Sequence, residues 1–408
     1  MRRESPRRRP APPRTSQRIL ECAVKILWDC SRRSRTLDDA LDAADESIRR
    51  VLEHLLMNCF RYRKSLDKQI SACCTREPDE AVRFILTAAL VQCRFQSGIV
   101  PESAVNVAVE VAKKYHASSF VNAVLRKLLS QEAALPASAD EVLPDFLLER
   151  WRKRFAPGEL AELARLYLTP AEFVCRVLPG FTAVPESTAA PGFGDFNFVF
   201  APAKAVLTSE TFAQGGYYVQ DAATSMVIAE LAPHIGNVKN ALDICAAPGG
   251  KTLMLGELLG ENVQITATDI SARRQQLTKE NFALRKRTYR VLTTRLNDIS
   301  GKFDLVLADV PCSNTGVFRR RPDALWRFDR ESLDEVCRLQ KEIVVHAAGR
   351  VAPQGVLAIS TCSIEEDENN GAVEAVLTTF PEFELLSKRL LLPTDGHDGA
   401  FAAILKRR

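Results

Sequence analysis

After residue 240 the apolar pattern changes period, and that change restricts the fold more than any other feature of the chain. Five short apolar runs, "ALDICA", "VQITATDI", "RVLTTRL", "FDLVLADV" and "GVLAIST", are separated by stretches of helical spacing. Strands that alternate with helices need a crossover between one strand and the next, so the expected sheet is parallel and doubly wound. Ligands on such a sheet bind outside the carboxyl ends of its strands. The residues that end each run are therefore the ones to inspect.

The N-terminal part obeys another rule. From Thr15 to Ser130 the spacing is helical: Ile48, Val51, Leu52, Leu55, Leu56 and Cys59 make one apolar stripe, and Val82, Ile85, Leu86, Ala89, Leu90 and Cys93 another. Pro78 and Pro101 stand where helices are expected to start. A compact all-α domain is predicted over 15–135, behind a basic Pro-rich tail, 1–14, that lacks apolar anchors and is expected to be disordered. "SQEAALPASADEVLP" reads as a linker. Residues 136–215 read as that linker followed by a small α+β region with a strand at "FVCRVL", which leaves 216–408 for the α/β domain.

The net charge of +4 is unevenly placed: residues 1–135 carry 24 Lys and Arg against 16 Asp and Glu, the remainder 31 against 35. A basic first part points to a polyanionic partner, with the faces near Arg61, Arg63 and Lys64 as candidates. Eleven cysteines are an odd number in a large chain that opens on no signal segment. Reduced thiols in a cytoplasm are expected, not a disulfide framework. No apolar run reaches membrane-spanning length.

The first run ends in "CAAPGGKT", residues 245–252, whose "GGKT" resembles a phosphate loop. That loop needs Gly where Cys245 stands, and the dinucleotide fingerprint G-x-G-x-x-G is also missing. What remains is a strand, a tight turn at Gly249 and Gly250, and a helix start able to bring backbone donors close to an anionic group. Asp269 ends the second run, where a carboxylate can hold ribose hydroxyls. Asp298 lies just beyond the third, placed to accept from an adenine amino group. Acceptors and a glycine turn without a phosphate cradle describe a nucleoside carrying a small zwitterion, and S-adenosylmethionine is such a molecule.

Two more runs end in cysteines. "DVPCSNTG", 309–316, holds Cys312, and "STCS", 360–363, holds Cys362. Neither belongs to a C-x-x-C pair or has a histidine at ligand spacing, so a metal is not expected. A thiol beside a methyl donor has a chemical use. Carbon 5 of cytosine is a poor nucleophile until a thiolate adds at carbon 6 and turns the ring into an enamine. The addition calls for an acid at ring nitrogen 3, a role suited to Asp309, and for removal of the carbon 5 proton before the thiol leaves. From the residues alone, which thiol attacks stays open.

These strings are also similar to a family. "YYVQDAAT", "LDICAAPGGKT", "ADVPCSNTGVFRRRPDALW", "STCSIEEDEN" and the terminal "DGHDGAFAAILKRR" resemble, in order and over nearly the whole chain, bacterial 16S rRNA cytosine-5 methyltransferases of the RsmB/Sun/Fmu type. The helices ending in "FVNAVLRKLL" resemble the NusB-like RNA-binding domain that precedes their catalytic domain. The resemblance implies an α/β Rossmann-like class I methyltransferase domain behind an all-α NusB-like domain. It implies Cys362 as nucleophile, Cys312 as the thiol that assists product release, and Asp309 as the contact to base nitrogen 3. It places Cys245, Ala246, Ala247, Pro248, Gly249, Gly250, Lys251, Asp269, Asp298 and Asp309 around S-adenosylmethionine and the target base, with Lys251 either touching the cofactor or bracing its loop.

Arg319, Arg320 and Arg321, set among Phe318, Trp326 and Phe328, are candidates for holding RNA phosphates while the aromatics meet unstacked bases; bracing the loop is the alternative. The expected partner is 16S rRNA, free or in an assembling small subunit, with a monomeric enzyme, no metal and no membrane. Competing readings are a noncatalytic RNA-binding scaffold, a P-loop ATPase, which Cys245 disfavours, and a DNA methyltransferase, in which the Pro-Cys thiol Cys312 would attack.

Overall fold

The structure, a computed structural model, describes residues 15–132 and 135–408, so the tail expected over 1–14 lies outside the described residues. Two compact units divide the chain. One contains the described residues up to Leu168 together with Arg321–Arg327, and the other contains Thr169–Arg320 and Phe328–Arg408. The contacts therefore divide at 168, not at the composition breaks near 135 and 215, because the helices Asp145–Arg152 and Pro157–Leu168 bury Leu147, Trp151, Leu163 and Tyr167 within the first unit.

In the first unit the helix Glu80–Phe95 is central. It buries residues on nearly every side because Thr15–Ser31, Glu46–Arg61, Pro101–Ala112 and Ser118–Leu129 all pack on it. Leu52, Leu55, Leu86 and Leu90 are completely buried, each worth about 1.5–3 kcal/mol of hydrophobic stabilisation. Pro101 opens its helix as expected, whereas Asp79 caps Glu80–Phe95 and leaves Pro78 outside it.

The basic face expected to meet a polyanion is consumed inside this unit. Arg61 is buried and donates to the Tyr167 carbonyl and Asn58 Oδ1. Arg63 lies 4.9 Å over the Trp326 ring, and Lys64 donates to the Leu143 carbonyl and Asp145, both at 2.7 Å. Trp326 itself donates to the Phe60 carbonyl at 2.8 Å, a packing role and not an exposed platform for bases.

The second unit has two sheets. The smaller contains β1 (Val174–Val177), β2 (Thr188–Ala189), β3 (Asn197–Phe200) and β4 (Tyr217–Val219), antiparallel in the order β2-β3-β1-β4. The larger contains β5 (Asn240–Ile244), β6 (Gln264–Asp269), β7 (Arg290–Thr293), β8 (Phe303–Asp309), β9 (Val351–Thr361), β10 (Phe383–Leu391) and β11 (Ala400–Arg407). Its order is β10-β11-β9-β8-β5-β6-β7, with β5 to β9 parallel.

The chain progresses outward from β5 to β7 on one side and from β8 to β9 on the other. Between β5 and β8 the direction reverses, which opens a crevice at their carboxyl ends. The five predicted strands are all present. β10 and β11 are additional: β11 inserts antiparallel beside β9, and its buried "AFAAIL" lacks alternation because both faces are covered.

Candidate active site

Five of the predicted positions come from the carboxyl ends of adjacent strands. Cys245 follows β5, Asp269 ends β6, Asp309 ends β8 with Cys312 three residues on, and Cys362 follows β9. Because β5, β6, β8 and β9 are sheet neighbours, these ends form one rim.

The turn after β5 is built for close approach. Gly249, at φ +99°, caps the helix Gly250–Leu259, and a Cβ there would sit 2.8 Å from the Phe282 ring. A Cβ on Gly250 would meet Gln220 Oε1 at 2.5 Å and the Tyr218 ring at 2.8 Å. Only glycines leave that space. The turn is secured from outside: Ala246 N–H donates to Thr268, Arg274 to the Ala247 carbonyl at 2.8 Å, and Tyr218 and Asn281 to the Pro248 carbonyl at 3.1 and 3.0 Å. Beneath it, Thr252 donates to Asp243 at 2.5 Å; burial pushes that carboxyl up to about 7, opposed by the same hydrogen bond. Cys245 takes a left-handed φ of +62°, and burial pushes its thiol up to about 12.

S-adenosylmethionine fits this rim. Asp269 is 5% exposed; its Oδ1 accepts from Ser271 N–H at 2.9 Å, while Oδ2 is buried without a hydrogen bond, with Arg274 no nearer than 3.4 Å. A buried carboxylate oxygen left open at a strand end is what a ribose hydroxyl would complete. Asp269→Ala should raise the Kd for S-adenosylmethionine about 10–100-fold, the worth of a hydrogen bond to a charged group. Calorimetry showing unchanged affinity would remove Asp269 from the site. Asp298 is exposed at the end of a short 3-10 turn, Leu296–Asp298, beyond the carboxyl end of β7.

Lys251 braces. Its Nζ lies 2.8 Å from Asp309 Oδ2. Burial works against the ammonium, but Asp309, and then the nearby Cys362 sulfur, raise Lys251 above its usual range.

The two cysteines meet. The Cys362 sulfur acts directly on Cys312, and that neighbour, burial and the charge of Glu368 hold the Cys312 thiol well above the ordinary range. Cys362 Sγ also lies 3.3 Å from Asn314 Oδ1. The loop from Pro311 to Gly316 closes on the Cys362 turn through Gly316 N–H to the Cys362 carbonyl at 3.0 Å; a Cβ at Gly316 would lie 2.6 Å from that oxygen.

Sequence reasoning missed Tyr218, Arg274, Asn314 and Glu368. Asn314, at φ +65°, carries a usable signal, since Asn before Thr-Gly favours a left-handed turn. Glu368 carries none, because "EEDEN" at a helix start looks like a solvated acidic turn.

The three arginines do different work. Arg319 is 4% exposed and donates to the carbonyls of Thr169, Pro170, Thr394 and Asp395. Arg320 bridges Asp221 and Asp398 at 2.8 and 2.7 Å, and Arg321 pairs with Asp38 at 3.1 Å. Phe318 and Phe328 are core residues. Bracing accounts for Arg319 and Arg320, while Arg321 stays half-exposed.

Residues 228–402 match the family described as 16S rRNA methyltransferase RsmB/F, and residues 17–130 match the NusB family. The stretch of chain that carries the rim thus matches the RsmB/F methyltransferase family model. Ribosomal RNA small subunit methyltransferase B of Vibrio cholerae is 28% identical, across 96% of this chain and 98% of its own. The crystal structure of PH0851 superimposes with a TM-score of 0.75 at 21% identity, covering 98% of this chain and all of that one. NSun6 from Pyrococcus horikoshii, solved with SFG, has a TM-score of 0.55 at 17% identity over 65% of this chain and 98% of its own. Both share the fold. As an RsmB/F-type methyltransferase the chain uses S-adenosylmethionine, which the open Asp269 oxygen and the glycine turn suit. Among the described residues no group of three or more His, Cys, Asp or Glu could hold a metal ion, and no helix is long and apolar enough to cross a membrane.

Proposed function

We propose that this RsmB/F-type methyltransferase moves a methyl group to carbon 5 of a cytosine in 16S rRNA, in the cytoplasm, through a covalent adduct with Cys362. The observation that carries the reading is the neighbouring pair of thiols beside the Lys251–Asp309 ion pair, at the rim where the sheet reverses direction.

In this reading Cys362 adds to carbon 6 of the flipped cytosine. Asp309 gives a proton to ring nitrogen 3 as the addition pushes charge into the ring, and the Lys251 ammonium holds the carboxylate that results. When bound, S-adenosylmethionine supplies an electrophilic methyl to the activated carbon 5. Cys312 then assists loss of the carbon 5 proton, after which the Cys362 sulfur leaves and the double bond re-forms. The order of roles, with Cys362 attacking and Cys312 assisting release, is the one that the resemblance of the Thr-Cys-Ser and Pro-Cys-Ser blocks implies. The Vibrio cholerae relative, which by name acts on small-subunit ribosomal RNA, supports the choice of substrate. Because the target base must leave its stack to reach two thiols, a loop or splayed nucleotide is favoured.

The experiment is transfer of tritiated methyl from S-adenosylmethionine to undermethylated small-subunit rRNA, followed by digestion to nucleosides. Label in 5-methylcytidine is expected. Label in another nucleoside, or none with free rRNA and assembling subunits alike, would sink the proposal.

A further inference from the structure

The serines that follow the two cysteines converge on one side chain. Glu368, in the first turn of the helix Glu366–Thr379, is completely buried. Its Oε2 accepts from the Ser313 N–H and from Gln340 Nε2, both at 2.9 Å. Its Oε1 accepts from Ser363 Oγ at 2.5 Å and from Ser313 Oγ. Ser313 follows Cys312 and Ser363 follows Cys362, so one carboxylate grips both cysteine segments one residue from the sulfur.

Neighbouring contacts converge there too. Gln340 also donates to the Pro311 carbonyl at 2.8 Å, and Ser363 Oγ lies 3.0 Å from Thr315 Oγ1. Four donors around an acceptor-only group suit the ionised form, and the helix N-terminus favours it further. Burial raises the Glu368 carboxyl, opposed by those hydrogen bonds.

We propose that Glu368 is the positioning residue of the two-thiol centre: it fixes the Cys312 and Cys362 segments at one spacing and presents its charge to Cys312. The proposal rests on the reading in which both thiols work. It also accounts for a feature of the two motifs, that each cysteine is followed by serine. The groups acting on Cys312 are the Cys362 sulfur and Glu368, which disfavour its thiolate, and the Asn314 backbone, which favours it.

The choice of variants follows from the hydrogen bonds. In Glu368→Gln the amide oxygen can still accept from Ser313 N–H and Gln340, while the amide N–H groups donate to serine hydroxyls that reverse their roles. Spacing survives and the charge is lost. In Glu368→Ala both are lost.

The first readout is disulfide formation between Cys312 and Cys362 under diamide, a two-electron oxidant that takes up the two thiol hydrogens as the S–S bond forms. It is followed by mass spectrometry of the full chain. Glu368→Ala should form the bond at least about ten-fold more slowly, because a misplacement near 1 Å can cost 10²-fold, and Glu368→Gln should recover most of the rate. The second readout is the pH profile of Cys312 alkylation, which should move to lower pH in Glu368→Gln. Crosslinking of Glu368→Ala at the wild-type rate overturns the proposal, as does an unmoved Cys312 profile in Glu368→Gln, which decides the matter if the alanine variant does not fold. Neither readout needs RNA or cofactor, so a wild-type enzyme that methylates nothing would count against the assigned function and not against Glu368.

Discussion

Cys362→Ala should abolish methyl transfer, by at least about 10⁴-fold, and should leave no covalent protein–RNA species on a denaturing gel; loss of a nucleophile removes the whole covalent route. The variant is expected to fold. Among the described residues the polar neighbours of the side chain are Asn314, Cys312 and the Lys251 ammonium, and the backbone carbonyl that accepts from Gly316 is retained. Unchanged affinity for S-adenosylmethionine by calorimetry would separate lost chemistry from lost structure. Residual transfer within about ten-fold of wild type would take the attack away from Cys362.

Cys312→Ala should have the opposite signature. Methyl transfer in a single turnover stays possible, but adduct accumulates and steady-state turnover falls about 10²–10⁴-fold, the usual worth of a positioned proton-transfer group. Pulse-labelled methyl that remains attached to protein after denaturation is the measurement. If adduct accumulates instead in Cys362→Ala and is missing in Cys312→Ala, the nucleophile is Cys312 and the arrangement is that of a DNA-type enzyme. Because Cys312 acts on the adduct that Cys362 forms, the double variant should be no worse than Cys362→Ala alone.

The residues whose place on the rim could be read from sequence are those set by local chemistry. A run such as "ALDICA" can hardly be anything but a buried strand, and "PGG" after it can hardly be anything but a tight turn, so the rim from Cys245 to Lys251 was legible. Asp269 was legible because it terminates a strand. Asp298 was harder, since its position depends on where a short exposed turn runs after β7. The arginines were ambiguous for a physical reason: a guanidinium that holds carbonyls 75 or 150 residues away has the same sequence as one that holds phosphate. Arg61, Arg63 and Lys64 misled in the same way, because a basic run does not reveal that Tyr167, Trp326 and Asp145 will return to consume it.

What the amino-acid sequence determined by itself was the succession of elements and the chemistry available at their ends. Periodicity is a local property, and so are a glycine turn, a strand-end carboxylate and a cysteine placed after an apolar run. Only the tertiary structure decided the partnerships. Cys312 and Cys362 are 50 residues apart, and their meeting needs β8 beside β9 in register, with Asp309 opposite Ser360. Glu368 became the shared anchor of both thiols only because the helix carrying it was buried against the two loops, where four donors converge on one carboxylate.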